Sequence, residues 1–320
     1  MSVVVEPVSA APTNATRERR SAGFGLALAA LTIWSAWFVV TRLSVTRELG
    51  IYDITALRLG GGALVLLPNF LRTARGLTPR AWREGVILSV CWGAPFVLLL
   101  SWGVQLTSAG YAASLTPSLM PILAGLIAWA VLGERPGRLR ATGFVITTAG
   151  AFVLSATFRT AGHPAGALAG TAAVLAASAL WAVYTLRVRR SGLAPLQAAA
   201  LVCLISSAAY LPLYALCGLS HLGRAPWLEI ALQAMYQGVL VSGVSIAAYS
   251  RAIALIGPGA AASVVSLVPV LATSLAVPIL GERPSALTLI AVAAIAAGAL
   301  LAAGASRTSV PASSTGSKHG

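Results

Sequence analysis

The chain has 320 residues, of which 58% are hydrophobic and only 9% charged, with a mean hydropathy of +0.85. A soluble domain carries about 25% charged residues, so a water-facing globule is excluded and most of the surface must face lipid. The formal net charge of +14 does not point to nucleic acid, because the basic residues are scattered between apolar segments and all but Lys318 are arginines.

Apolar stretches of about 20 residues are long enough to cross a bilayer as helices. A polar N-terminal tail, residues 1–22, carries Arg17, Arg19 and Arg20 and is expected to be cytoplasmic. The stretch after it is too long for the core of a signal peptide and reads as a retained span. The first half, residues 23–158, then holds five spans: 24–41, 54–71, 86–104, 109–132 and 139–158. A loop at 159–165 leads to the second half, residues 166–305, with spans at 166–186, 193–216, 228–251, 258–280 and 285–305. The Ser- and Thr-rich tail at 306–320 is expected to be disordered and cytoplasmic. Gly, Pro and Arg punctuate the short loops, as they do at helix ends. The expected fold is therefore all-α, with ten transmembrane helices.

One segment occurs twice. Ser118-Leu119-Met120-Pro121 runs through apolar residues to Leu132-Gly133-Glu134-Arg135-Pro136. Ser266-Leu267-Val268-Pro269 runs likewise to Leu280-Gly281-Glu282-Arg283-Pro284. Trp34-Ser35-Ala36-Trp37 aligns with Trp181-Ala182-Val183-Tyr184, and Ala149-Gly150-Ala151 with Ala297-Gly298-Ala299. Five spans is an odd number, so the second copy enters the membrane from the opposite side and the repeat is inverted.

Arginine placement orients the chain. With the N-terminus inside, Arg72, Arg75, Arg80, Arg83, Arg135, Arg138, Arg140, Arg187, Arg189 and Arg190 share the cytoplasmic side. Arg42, Arg47, Arg159, Arg224 and Arg283 are left outside. Both termini are thus expected in the cytoplasm.

These paired five-helix halves, the Trp in each first helix region and the Pro-centred fourth helix ending in Gly-Glu-Arg resemble the EamA-type family of the drug/metabolite transporter superfamily, over roughly Gly23 to Gly304. Arg58 also sits where that family often has an arginine. The resemblance implies a bacterial inner-membrane carrier, multi-pass, with a central cavity lined mainly by spans one, three, four, six, eight and nine. It implies export of amino acids, metabolites or other small organic solutes. A membrane-embedded lipid-modifying enzyme and a non-transporting scaffold or sensor are the alternatives. The enzyme would need paired carboxylates, a nucleophile with a base, or metal ligands at depth, and the sequence offers none.

The repeated turns have a complete local explanation. Gly133 and Gly281 suit a left-handed helix C-terminus. Glu134 and Glu282 would favour the dipole of the next helix, and Arg135 and Arg283 would answer the carbonyls of the preceding one. Pro136 and Pro284 suit the next helix's first turn. The inner prolines Pro121 and Pro269 remove a hydrogen bond mid-span and read either as packing kinks or as bends that line the path.

Trp34, Trp37, Trp92, Trp181 and Tyr184 lie deep in their spans, and their polar tips need partners away from lipid. Helix-packing bulk is the alternative to cavity lining. Gln233, Tyr236, Gln237, Ser245 and Tyr249 form one stripe of span eight, suited to a solute path or to polar helix contacts. Arg58 is the one basic residue well inside a span. It could attract an anionic group, snorkel to water or pair with Asp53. No pair of histidines has metal-ligand spacing, Cys91, Cys203 and Cys217 do not suggest a disulfide framework, and no cofactor motif is present. The small-residue run Ala291 to Gly304 suits packing against lipid, a helix or a second subunit, which leaves a homodimer open.

Overall fold

A computed structural model of the chain describes residues 14–133, 135–160 and 164–304. Glu134, residues 1–13 of the N-terminal tail, residues 161–163 of the loop after the first half and the tail from 305 lie outside the described residues. Among those described, ten helical stretches are long and apolar enough to cross a membrane. They carry large exposed side chains such as Leu64, Phe152 and Leu168, as lipid-facing surfaces should.

The first half comprises α1 (Asn14–Val45), α2 (Ile51–Thr73), α3 (Pro79–Trp92), α4 (Ala94–Leu106), α5 (Ala109–Leu132) and α6 (Arg138–Thr160). The second comprises α7 (Pro164–Ser191), α8 (Pro195–Leu216), α9 (Trp227–Gln233), a π-helical segment (Ala234–Val244), α10 (Ser245–Ile256), α11 (Pro258–Val265), α12 (Val268–Leu280) and α13 (Ala286–Gly304). Helix α1 reaches back to Asn14, well ahead of its apolar stretch, because the Arg, Glu and Ala residues there are good helix formers.

Packing follows the repeat. Helix α2 lies against α8, α4 against α7, α1 against α10 and α6 against α13. At the last contact the two copies meet symmetrically. A Cβ on Gly150 would stand 3.1 Å from the Ala291 carbonyl oxygen and 2.9 Å from Ile295. One on Gly298 would stand 2.7 Å from the Gly143 carbonyl oxygen and 2.5 Å from Thr147. This face of the small-residue run of span ten therefore packs on α6 of the same chain.

Three spans are not the uniform helices expected. Span three breaks at Gly93, whose φ of −89° and ψ of −137° end α3, and Pro95 opens α4. Span eight widens into the π segment, where Ser242 Oγ donates to the Gln237 carbonyl at 3.0 Å, five residues back. Span nine breaks between α11 and α12, so Pro269 lies in the first turn of a new helix and not in the middle of one. Its counterpart α5 runs unbroken through Pro117 and Pro121. The two inner prolines are thus not matching bends: the first is tolerated within a helix, whereas the second follows an interruption.

The Gly-Glu-Arg turns behave differently from expectation in three respects. Gly133 and Gly281 do adopt the left-handed conformation, with φ of 71° and 69°. Pro136 and Pro284, however, precede α6 and α13 and do not enter their first turns. Glu282 does not serve the next helix. Its carboxylate accepts from the N–H groups of Ala109 (2.8 Å) and Gly110 (3.3 Å) at the start of α5, in the other half. Those N–H groups have no intrahelical acceptor, and a carboxylate there also meets the positive end of the helix dipole. Arg283 is exposed and makes no hydrogen bond among the described residues.

Candidate solute site

Arg58 stands where the two halves meet. It is 7% exposed, so it does not snorkel to water. Its guanidinium carbon lies 5.3 Å from the Trp37 ring centroid, 5.7 Å from Trp92 and 6.0 Å from Phe96. These are cation–π distances. Asp53 is not its partner. That carboxylate is wholly buried at the start of α2, where it accepts from the Tyr214 hydroxyl, the His221 N–H and the Gly50 N–H. The local capping need of α2 holds Asp53 away from the arginine one turn further on.

The aromatic wall is built from both halves. Tyr184 of α7 stacks on Trp92 of α3, centroids 4.9 Å apart, and Trp181 meets Phe96 edge-on at 6.1 Å. Trp37 and Tyr184 are aligned positions of the repeat, so the first helix of each half delivers an aromatic ring to the wall, Trp37 beneath Arg58 and Tyr184 on Trp92. Helix α2 comes close enough to present Arg58 because its glycines meet the π segment backbone to backbone. A Cβ on Gly61 would be 2.8 Å from the Gly238 Cα. Ser242 Oγ donates to the Arg58 carbonyl at 3.3 Å and helps to fix that crossing.

The polar stripe of span eight faces α1, as an inward face should. Trp37 Nε1 donates to Gln237 Oε1 at 2.8 Å. Gln237 Nε2 donates to Thr41 Oγ1 and Gln233 Oε1, and Gln233 Nε2 to Ser44 Oγ. Trp34 Nε1 donates to Ser245 Oγ at 2.9 Å, and its ring meets Tyr249 edge-on at 5.1 Å. The Tyr236 hydroxyl donates to the Ile33 carbonyl at 2.6 Å. In this conformation the stripe is therefore committed to α1, and it fixes the orientation of Trp37 over Arg58. Gln237→Leu is expected to leave the Trp37 indole N–H without an acceptor, at a cost of about 1–3 kcal/mol. A fall in the thermal unfolding temperature of the detergent-solubilised protein checks this.

Of the expected site residues, Trp37, Arg58, Trp92, Trp181 and Tyr184 come together directly, and Gln233, Tyr236 and Gln237 support them. Trp34, Ser245 and Tyr249 form an adjoining group along α1 and α10. Pro121 and Pro269 shape the backbone of spans that pack against α1. Phe96, Thr41, Ser44 and Ser242 were not foreseen. Three of them carried a signal: Thr41 and Ser44 follow Trp37 by four and seven residues, and Phe96 follows Trp92 by four, all helical-face spacings. Among the described residues no group of three His, Cys, Asp or Glu could hold a metal ion.

Two further ties involve the helices of this site, one within the first half and one between the halves. Arg42 donates to the carbonyls of Val104 and Gln105, joining the end of α1 to the end of α4. Arg187 of α7 lies 3.8 Å from Glu84 of α3.

The model of the EamA-like transporter family matches residues 21–156 and again 168–304. No curated protein matches the chain. A protein of known crystal structure shares its fold, with a TM-score of 0.60 and 24% identity, covering 88% of this chain and 98% of that one. Ten apolar helices in two repeats, each repeat matched separately across its length, make this a multi-pass membrane protein, and the chain belongs to the EamA-like transporter family.

Proposed function

We propose that the chain is a secondary transporter that exports small organic solutes, amphipathic or aromatic, by alternating access between its two halves. The observation that carries this reading is the aromatic wall around Arg58. It is assembled from α1, α2, α3, α4 and α7, and so it must open whenever the halves part. A site at the joint of two related halves is what alternating access requires. The ties that flank it, Glu282 with α5 on one span pair and Arg187 with Glu84 on another, can break in turn without unfolding any helix. The arginine distribution supports cytoplasmic termini, and the family resemblance supports residence in a bacterial inner membrane.

The test is flux into proteoliposomes. Purified protein is expected to move members of a panel of amino acids and aromatic metabolites without ATP, and to exchange labelled for unlabelled solute. A strict dependence on ATP would sink the proposal. Unaltered flux after Tyr236→Ala and Gln237→Ala would remove span eight from it.

A further inference from the structure

Two unpartnered groups of the site can only donate. The Arg58 guanidinium has five N–H donors and makes no hydrogen bond or ion pair with any described residue. Trp92 Nε1 is buried and also lacks a partner. The acceptors nearby are taken: Gln237 Oε1 by Trp37, Gln233 Oε1 by Gln237, and Ser245 Oγ by Trp34. The site therefore presents one full positive charge and a free indole N–H, with its amide oxygens already engaged.

Nor is there a counter-ion among the described residues. Asp53 is consumed by Tyr214, His221 and Gly50. Glu84 faces Arg187, and Glu282 caps α5. Glu18 and Glu48 are exposed, and Glu229 lies in the first turn of α9. A buried charge without a partner is costly, and aromatic faces return only part of its lost hydration. The missing partner has to be an anion with acceptor oxygens. Its remaining body meets Trp37, Trp92, Phe96, Trp181 and Tyr184, which are flat and apolar.

We infer that Arg58 binds the carboxylate of an aromatic monoanion, and that the solute lacks an ammonium group. This rests on the transporter reading and sharpens it. A guanidinium grips a carboxylate through two parallel hydrogen bonds, while the indole N–H of Trp92 supplies a third donor. The ammonium of an amino acid would shed its water here and find no carboxylate, and the aromatic faces suited to a cation already hold Arg58. An amine without a carboxylate would in addition be repelled by Arg58.

Three compounds of one skeleton separate the cases: 3-phenylpropanoate, L-phenylalanine and phenethylamine. Calorimetric titration of the purified full chain is expected to show 3-phenylpropanoate binding at least tenfold more tightly than phenylalanine, and phenethylamine not at all. R58Q is expected to weaken 3-phenylpropanoate at least tenfold. Equal or tighter binding of either amine, no binding of any of the three, or full retention in R58Q would each overturn the inference. If R58Q does not fold, R58K carries the test. It keeps the charge without the fork, so it should keep the order of the three ligands at lower affinity, and equal affinities would be contrary. Flux of the same compounds is measured in proteoliposomes alongside. Binding in the expected order without flux would sink the transporter reading and leave the anion site standing, whereas flux of amines in preference to the acid would do the reverse.

Discussion

Gly93→Leu is expected to yield no folded protein. A Cβ at this position would overlap both Ser206 Oγ on α8 and the Ser89 carbonyl oxygen. The second is backbone and cannot swing aside, and behind the Ser206 hydroxyl its Cβ stands only 3.0 Å away. Overpacking typically costs 1–3 kcal/mol where side chains can adjust. Here the backbone itself must move, so even Gly93→Ala should lose about 3 kcal/mol or more, against a total stability of about 5–15 kcal/mol. Gly25, with nothing within 4 Å of its would-be Cβ, is the control: Gly25→Ala should stay within about 0.5 kcal/mol. Size-exclusion profiles and thermal unfolding in detergent read both. A monodisperse Gly93→Leu protein with the wild-type melting temperature would mean that the break in span three is not packed as described.

Glu282→Ala should loosen one side of the molecule. Glu282 is the sole side chain that satisfies the Ala109 and Gly110 N–H groups, and it bridges halves 173 residues apart in sequence. Hydrogen bonds to a charged group contribute about 1.5–3 kcal/mol. Partial access of water at this helix end reduces the loss for the pair to about half of that range, roughly 0.8–1.5 kcal/mol. Each 1.4 kcal/mol is a tenfold change in a two-state population. Ser114, wholly buried one turn inside α5, reports the opening. In a protein with the exposed Cys217 replaced by serine, S114C should react with a maleimide roughly tenfold faster when Glu282 is alanine. An unchanged labelling rate would reduce Glu282 to a static cap.

The coarse architecture was legible because its causes are local. Ten apolar runs mark ten spans, and a glycine ahead of Glu-Arg-Pro marks each left-handed helix end, since only that residue enters the conformation freely. The interruptions were less visible. Gly93 followed by Pro95 was a readable signal, lost inside an uninterrupted apolar run. The break before Pro269 was not readable, because Pro121 follows a similar Ser-Leu-x sequence and sits in an unbroken helix. The π segment carries no signal of its own either, since its extra width depends on Gly61 meeting Gly238. The same divide runs through the site. Aromatic and polar residues on helical faces could be gathered by spacing, but the absence of a counter-ion for Arg58 required knowing that Asp53 turns to Tyr214 and His221. Likewise, Glu282 reads as a turn residue until its acceptor role on α5 is seen.

The contact between α6 and α13 has a consequence of another kind. Gly150 rests on Ala291 and Ile295 while Gly298 rests on Gly143 and Thr147, and the repeat exchanges each of these residues for its opposite number. Such an interface is isologous: each half offers the other the same surface that it receives. Its cohesion owes nothing to the covalent loop between the halves, and the sequence could therefore have begun as one five-helix polypeptide pairing with an upside-down copy of itself, the later tandem fusion adding permanence to an association that the surfaces already specified.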